Sequence, residues 1–253
     1  MNALLLENLS VRLRGACVVD HVSLHVGKGE VVALLGPNGA GKTSLLRAAL
    51  GLIAHTGVVL LDGVSPLHLN ARERALRAAY LPQRPRAAWP ISVEALVALG
   101  RFAHGAAPDR LGADDRLAVD DAIEACGLVT LRDRRIDVIS GGERARAHLA
   151  RTLAQRAPLI LLDEPTASLD PAQALGVMSV LRKHAGAGGA VLFSTHDIAL
   201  AANAADRVVL LCGGKVLAAG SAEALTPAVL ERAYGRKGRL EHLRGGHAAL
   251  FEA

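Results

Sequence analysis

The chain has 253 residues, of which 51% are hydrophobic and 21% charged, and its mean hydropathy is +0.29. This length suits one large domain or two small ones and is ample for a sizeable core, which excludes disordered, collagen-like and mini-protein classes. The longest uncharged apolar runs are far shorter than the roughly 20 residues that a membrane-spanning helix needs. We therefore expect a globular chain that does not itself cross a membrane.

The net charge of +5 and the pI of about 9.5 are compatible with a nucleic-acid or anionic-membrane partner. However, only 2% of the residues are aromatic, so the chain lacks the stacking platforms that single-strand binders use. We expect a generally basic surface and no nucleic-acid partner.

Two features bear on the cellular compartment. The three cysteines, Cys17, Cys126 and Cys212, form no C-x-x-C pair, which argues against a disulfide framework or a zinc site. We expect them to be small buried side chains. The first residues carry Glu7 and no basic segment, so we expect no secretory signal and a cytoplasmic location.

The first predicted elements form a small β region followed by a strand, a loop and a helix. Residues 22–26 alternate with period two, and residues 58–61 resemble a second strand, which together indicate an antiparallel region. Apolar residues at 30–35 lead into a glycine-rich loop at 36–41, and residues 42–50 have helical periodicity.

The middle of the chain is predicted to be helical. Strand signals disappear between about residues 84 and 134, where residues 92–99 and 115–126 have the pattern of helices. With the helix that follows residue 140, we place a helical insertion at approximately 84–157. The whole chain, 1–253, is expected to be a single domain.

Strand signals return in the last third of the chain. Residues 159–162 and 190–194 each follow a helix, as βαβ units require, so the fold class is α/β with a largely parallel sheet. Residues 208–211 and 215–218 flank Cys212-Gly213-Gly214 and predict a hairpin.

The loop at 36–41 begins a phosphate-binding motif, G-x-x-x-x-G-K-S/T. It consists of Gly36, Pro37, Asn38, Gly39, Ala40, Gly41, Lys42 and Thr43, and Ser44 follows it. The glycines let successive backbone N–H groups turn toward one anion, and the following helix adds its positive dipole end. Lys42 is expected to reach the β- and γ-phosphates, and the Thr43 hydroxyl to ligate Mg²⁺. A plain glycine-rich turn would explain the glycines but not Lys42-Thr43 at the start of a helix.

Two carboxylates follow the strand at 159–162. Ligands gather at the carboxyl ends of strands in an open α/β sheet, so Asp163 and Glu164 are expected beside the phosphate loop. Asp163 is the candidate Mg²⁺ residue, and Glu164 the candidate that polarises an attacking water. An Asp-Glu pair after a strand is common in ordinary turns. The predicted position beside the phosphate loop favours a functional role for this pair.

A second anion site is predicted at Ser140-Gly141-Gly142-Glu143. Ser140 caps a helix with small or apolar residues at intervals of four up to Ala157, and Pro158 is expected to end it. The two glycines expose the first N–H groups of that helix, which can bind a second phosphate.

At these motifs the chain resembles the ATP-binding subunits of ABC transporters, over nearly its whole length. The loop at 36–43 is similar to their Walker A motif, residues 159–163 to Walker B, and residues 140–143 to the signature motif, which usually ends in Gln. The other matches are Gln83 in the Q-loop, Ser168-Leu169-Asp170 in the D-loop and His196 as the switch histidine.

The resemblance implies a P-loop NTPase fold of the RecA-like, ABC ATPase type. It implies that ATP and Mg²⁺ bind between two copies paired head to tail, with Ser140, Gly141 and Gly142 supplied by the second copy. By the same resemblance Glu164 is the general base, His196 contacts the γ-phosphate, and Gln83 joins the metal to the transmembrane partner. Asp170 and Ser44 complete the implied nucleotide-binding set, and Thr43, Gln83 and Asp163 the metal set.

One position departs from the family pattern. Family members commonly carry an adenine-stacking aromatic residue near the end of the first strand, whereas Leu13 is its likeliest counterpart here, between Arg12 and Arg14. We expect Leu13 to contact the base.

Two further segments are similar to importer subunits for iron-siderophores, haem and cobalamin. They are residues 91–101, which follow Gln83 and Trp89, and residues 226–230. This similarity implies two transmembrane permease subunits, indirectly a periplasmic substrate-binding protein, and a peripheral location at the cytoplasmic face of the inner membrane.

Three alternatives remain at this point. An exporter subunit would have the same fold. A soluble ABC ATPase of translation or nucleic-acid processes would normally have two cassettes or a long coiled-coil insertion, neither of which the sequence contains. A small-molecule P-loop kinase would leave Ser140-Gly141-Gly142 without a role.

Overall fold

The computed structural model describes residues 2–85 and 89–252. The strands are β1 (Asn2–Leu13), β2 (Ala16–Gly27), β3 (Val31–Leu35), β4 (Thr56–Leu61), β5 (Ala78–Leu81), β6 (Leu159–Asp163), β7 (Ala190–Ser194), β8 (Arg207–Cys212), β9 (Lys215–Gly220), β10 (Gly238–Leu243) and β11 (Gly246–Phe251). The α-helices are α1 (Lys42–Ala49), α2 (Ala71–Arg77), α3 (Val93–Ala98), α4 (Ala113–Ala125), α5 (Gly141–Ala154), α6 (Pro171–Gly186), α7 (Ile198–Ala204) and α8 (Pro227–Tyr234).

The central sheet confirms the predicted α/β class. Its strand order is β5-β6-β7-β3-β8-β9, with parallel pairing from β5 to β8 and β9 antiparallel to β8 at the edge. Every residue of β3, β6 and β7 is buried, as continuous apolar runs predict for strands covered on both faces. The carboxyl ends of these strands therefore meet at one edge of the sheet.

The sheet separates two hydrophobic cores. Alternate residues of β3 face opposite sides, because successive side chains of a strand point in opposite directions. Val32 and Leu34 pack with α1 and the antiparallel sheet β2-β1-β4, whereas Val31 and Ala33 pack with the helices of the other face. The predicted N-terminal antiparallel region is confirmed, although β2 and β4 extend beyond residues 22–26 and 58–61.

The helical region lies between β5 and β6 in the chain. The predicted helices at 92–99 and 115–126 are confirmed as α3, which Ser92 caps, and α4. The expected extension of α5 to Ala157 is wrong, because α5 ends at Ala154. The Gln155 side chain instead donates hydrogen bonds to the carbonyls of Ala75 and Ala78, at 2.5 and 3.2 Å, and ties this end to β5.

Two hairpins complete the described chain. The predicted hairpin is confirmed as β8-β9, and its turn glycines, Gly213 and Gly214, have φ values of 55° and 79°. The second hairpin, β10-β11, was not predicted. Its strands are short and only partly buried, and they carry a weak alternating pattern.

The expectation that all three cysteines are buried is wrong for two of them. Cys126 is buried, but Cys17 is exposed and Cys212 is half-buried. All three are free thiols. Cys17 lies near the edge of the antiparallel sheet, where the strand pattern alone does not tell which face the core covers. Among the residues that the structure describes, no helix is long and apolar enough to cross a membrane.

Candidate nucleotide site

The phosphate loop joins β3 to α1 and requires glycine at two positions. Gly36 has a φ of 150°, and a Cβ there would lie 2.4 Å from the carbonyl oxygen of Leu211. Gly41 has a φ of 103°, and a Cβ there would lie 2.4 Å from the carbonyl oxygen of Val18. Only glycine fits so close to another backbone. The loop is thereby held between β8 and β2.

The loop presents its backbone to solvent at the start of α1. Asn38 and Gly39 are exposed, Ala40 is buried, and Ser44 is half-buried in the first helical turn. Within the described part of the chain, no side chain caps the N-terminus of α1, so its first N–H groups have no side-chain acceptor there. Such groups bind a phosphate well, since the helix dipole adds to their hydrogen bonds.

Lys42 places a buried cation under this loop. The residue is 6% exposed, and its Nζ donates to the carbonyl oxygens of Gly36, at 2.6 Å, and Pro37, at 3.2 Å. The pKa of Lys42 is lowered overall, because the effect of burial exceeds the opposing effect of the charges of Glu164 and Asp163. The two carbonyls are neutral, and among the described residues the ammonium forms no ion pair, so it suits an incoming anion.

Asp163 lies at the end of β6 and is buried between two hydroxyl groups. Its Oδ2 accepts a hydrogen bond from Thr43 Oγ1, and its Oδ1 accepts one from Ser194 Oγ, both at 2.7 Å. Ser194 Oγ also accepts a bond from the Glu164 backbone N–H at 3.0 Å. The sequence reasoning missed Ser194. The feature that could have indicated Ser194 is the pairing of β6 with β7, which places this residue directly beside Asp163.

Glu164 is the point where three strand ends converge. It has a φ of 51°, a left-handed conformation that non-glycine residues adopt mainly at turns and functional sites. Its side chain is 11% exposed, and Oε2 accepts a hydrogen bond from Gln83 Nε2 at 2.8 Å. The Nδ1 atom of His196 lies 3.7 Å from the same oxygen. Gln83, Glu164 and His196 follow β5, β6 and β7, respectively.

A cavity of about 480 Å³ opens beside these residues. Its walls include Pro37 and Asn38 of the phosphate loop, together with Gln83, Glu164 and His196. The sequence reasoning missed two other wall residues, Tyr234 and Phe251, which belong to α8 and β11. The sequence offers one signal for these two residues: such aromatic side chains are rare in this chain, which contains only two tyrosines and three phenylalanines.

The second predicted anion site forms the N-terminus of α5. Ser140 Oγ accepts from the Glu143 N–H at 3.3 Å, and Glu143 Oε2 accepts from the Ser140 N–H at 2.8 Å. The N–H of Ser140 is the main cause that lowers the pKa of Glu143, so this carboxylate is charged. Ser140 and Gly141 are exposed.

Asp170 belongs to the same surface as the second anion site. It caps α6 by accepting a hydrogen bond from the Gln173 N–H at 2.8 Å. A Cβ at Gly142 would lie 2.7 Å from Gln173 Oε1, so the starts of α5 and α6 are in contact.

The structure does not bring the two anion sites together. Within residues 2–85 and 89–252, no hydrogen bond or ion pair joins Ser140, Gly141, Gly142 or Asp170 to Lys42, Thr43 or Glu164. Leu13 lies at the surface. It is 42% exposed at the end of β1, paired with Ala16 across the hairpin turn.

The chain is similar to curated proteins over most of its length. The family model described as ABC transporter matches residues 19–167. A hemin import ATP-binding protein of Streptomyces coelicolor is 47% identical, with 84% of this chain and 75% of the relative covered. Another from a Pseudomonas fluorescens strain is 42% identical, with 97% and 98% covered. An iron(3+)-hydroxamate import ATP-binding protein of Bacillus subtilis is 34% identical, with 92% and 88% covered.

Solved structures show the same fold. One is a chain of an ABC transporter described as of the metal-chelate type in an inward-facing conformation, with a TM-score of 0.83 and 25% identity, covering 100% of this chain and 97% of that one. An ATP-binding cassette of an ABC transporter in its ADP conformation has a TM-score of 0.77 at 23% identity, covering 87% and 91%. The matched family, the relatives and the described phosphate loop agree, and the chain belongs to the ABC transporter family as an ATP-binding, ATP-hydrolysing subunit.

Proposed function

We propose that the chain powers an importer of hemin or a related iron chelate from the cytoplasmic face of the inner membrane. The observation that carries this proposal is the similarity to hemin import ATP-binding proteins at 40–47% identity, which reaches 97% of the chain in the Pseudomonas relatives. That similarity extends well beyond the segment 19–167 matched by the family as a whole. The hydroxamate import relative is more distant, at 34% identity.

The geometry supports a specific division of roles at the nucleotide. Lys42 and the N–H groups of the phosphate loop bind the β- and γ-phosphates, since they combine a buried cation with free donors. Asn38 and Gly39 lie at the exposed tip of the loop, and Ser44 follows in the first turn of α1. Leu13 contacts the base.

The residues around Asp163 fit a magnesium ion. The Thr43 hydroxyl and the Asp163 carboxylate lie 2.7 Å apart, and both are oxygen ligands of the hard type that Mg²⁺ prefers. The side-chain amide of Gln83 adds a third group. When bound, Mg²⁺ neutralises charge on the phosphate oxygens. Ser194 holds the second carboxylate oxygen and so orients Asp163.

Glu164 acts as the general base in this proposal. Its carboxylate accepts the proton of a water that attacks the γ-phosphorus, while the bond to the bridging oxygen breaks and ADP leaves. Gln83 donates to Oε2 and orients the carboxylate. His196 Nδ1 lies 3.7 Å from the same oxygen, and His196 contacts the γ-phosphate in this proposal.

The separation of the two anion sites supports a dimer of this chain. Among the described residues, no hydrogen bond or ion pair joins Ser140, Gly141 or Gly142 to Lys42, and a second copy can supply these residues across a head-to-tail interface. Asp170 lies on the same surface and takes part in that interface.

Exposed apolar side chains support docking to two permease subunits. In the helical region, Trp89 is 72%, Phe102 74% and Leu99 39% exposed. Exposed apolar patches mark protein contacts, and we assign these side chains to the permease-facing surface. The permeases in turn connect the chain, indirectly, to a periplasmic substrate-binding protein.

A transport assay tests the importer proposal. The chain is reconstituted in proteoliposomes with the permease subunits that co-purify with it, and uptake is measured for hemin, a ferric hydroxamate and cobalamin. We expect ATP-dependent uptake of hemin, and none with Lys42→Ala, because that variant lacks the phosphate-binding cation. Outward movement of cargo, or uptake of cobalamin alone, would contradict the proposal.

The aliphatic residue at the base site leads to a second prediction. Aromatic stacking on a base contributes about 1–3 kcal/mol, and an aliphatic contact supplies only part of that. We expect weak discrimination between ATP and GTP, and a KM for ATP up to about 10-fold lower in Leu13→Tyr, equivalent to about 1.4 kcal/mol. Steady-state kinetics with both nucleotides measures this.

Arg12 and Arg14 provide the control for the base contact. Both are exposed beside Leu13, and a guanidinium can stack on a planar ring. The leucine assignment requires Arg12→Ala and Arg14→Ala to keep nearly the original ATP affinity. A large loss in either variant transfers the role to that arginine.

A further inference from the structure

The C-terminal hairpin supplies an aromatic wall to the cavity that contains Glu164 and His196. Tyr234 is the last residue of α8, and Phe251 is the last residue of β11. Their rings meet edge to face, with centroids 5.7 Å apart and planes at 71°. Both residues line the cavity whose walls also include Pro37 and Asn38 of the phosphate loop.

Glycine makes room for this wall. Gly238 pairs with Phe251 across the hairpin, and a Cβ at Gly238 would lie 2.5 Å from the Phe251 ring. No other residue permits the ring to lie so close to β10. The hairpin is therefore shaped around Phe251.

A side-chain clamp joins the hairpin to the helix that follows His196. Asn203 of α7 donates from Nδ2 to the His247 carbonyl oxygen at 2.9 Å, and its Oδ1 accepts from the His247 N–H at 2.7 Å. A Cβ at Gly246 would lie 2.3 Å from Asn203 Oδ1, so the clamp also depends on a glycine. α7 begins at Ile198, two residues after His196.

We propose that Tyr234, Phe251 and Asn203 are positioning residues for ATP hydrolysis, which hold the His196 segment against Glu164. This inference rests on the proposed roles of Glu164 and His196. Among the described residues, none of the three forms a hydrogen bond or an ion pair with the phosphate loop, so we expect their effect to fall on the chemical step and not on ATP binding.

The wall acts through its rings. The Tyr234 hydroxyl has no hydrogen-bond partner among the residues that the structure describes. Burial raises the pKa of Tyr234 to about 12, so the phenol is neutral near pH 7 and carries no charge to the cavity. Removing the oxygen alone should therefore change little.

Paired substitutions in the full-length chain test the proposal. We expect Tyr234→Ala, Phe251→Ala and Asn203→Ala each to lower kcat about 10-fold, while ATP affinity, measured by titration with ATP and Mg²⁺, changes less than about 3-fold. Tyr234→Phe and Phe251→Tyr keep the rings and should retain nearly the original kcat. Leu243→Ala is the matched control, since Leu243 is an exposed apolar residue of the same hairpin that does not line the cavity.

The outcomes separate positioning from simple stability. Tm is measured for every variant, and a loss of kcat at unchanged Tm and ATP affinity, rescued by the conservative variants, supports the proposal. It is overturned if kcat is unchanged in the alanine variants, if Tyr234→Phe loses as much as Tyr234→Ala, or if the losses only follow reduced Tm. Glu164→Gln is assayed in parallel, because normal turnover in that variant refutes the base assignment and not the contribution of the wall.

Discussion

Replacing Glu164 with Gln is expected to lower ATP turnover at least about 100-fold, the usual scale for loss of a general base. The amide keeps the size of the side chain but cannot take a proton from water. ATP should still bind, because Lys42 and the phosphate loop are untouched. Turnover is measured by phosphate release, and ATP-dependent dimers, measured by size-exclusion chromatography with light scattering, should accumulate.

Glu124→Gln is the matched control for this variant. Glu124 is an exposed residue of α4, outside the nucleotide site, so the same chemical change there should leave turnover unaltered. If Glu164→Gln hydrolyses ATP at nearly the original rate, the general base is another group.

The head-to-tail dimer predicts opposite defects for the two anion sites. Lys42→Ala should abolish nucleotide binding, because it removes the buried cation beneath the phosphates. Ser140→Arg should leave ATP binding by the monomer intact and block dimerisation and hydrolysis, because a long cation then occupies the exposed start of α5. Binding titrations, light scattering and phosphate release measure the three properties.

Mixing the two variants tests whether the sites act between copies. A mixed dimer contains one site with both defects and one site with neither, so an equal mixture should regain up to about a quarter of the original activity if dimers form at random. Each variant alone should stay inactive. Ser179→Arg, which adds the same charge at an exposed position of α6, is the control for nonspecific effects. Full activity of monomeric Ser140→Arg protein would rule out the head-to-tail dimer.

Much of the fold and the phosphate loop could be predicted from the sequence because their causes are local. Fully buried parallel strands require unbroken apolar runs, which β3, β6 and β7 have. The loop before Lys42 needs glycine at positions where no other residue fits, and the sequence shows those glycines directly. Ser140 has a partner three residues away, Glu143, that completes its helix cap. Such signals need no knowledge of distant residues.

The tertiary structure alone decided which distant side chains meet. Ser194 holds Asp163 only because β6 and β7 pair in one register, and a shift by one residue would turn Ser194 to the other face. Gln83 and Glu164 are 81 positions apart in the chain and share a hydrogen bond because β5 and β6 are neighbours. The wall formed by Tyr234 and Phe251 depends on how the last hairpin packs on α7, and Cys17 is exposed because the core covers the other face of its strand. Side-chain alternation specifies two faces for a strand, but only packing determines which neighbour each face contacts.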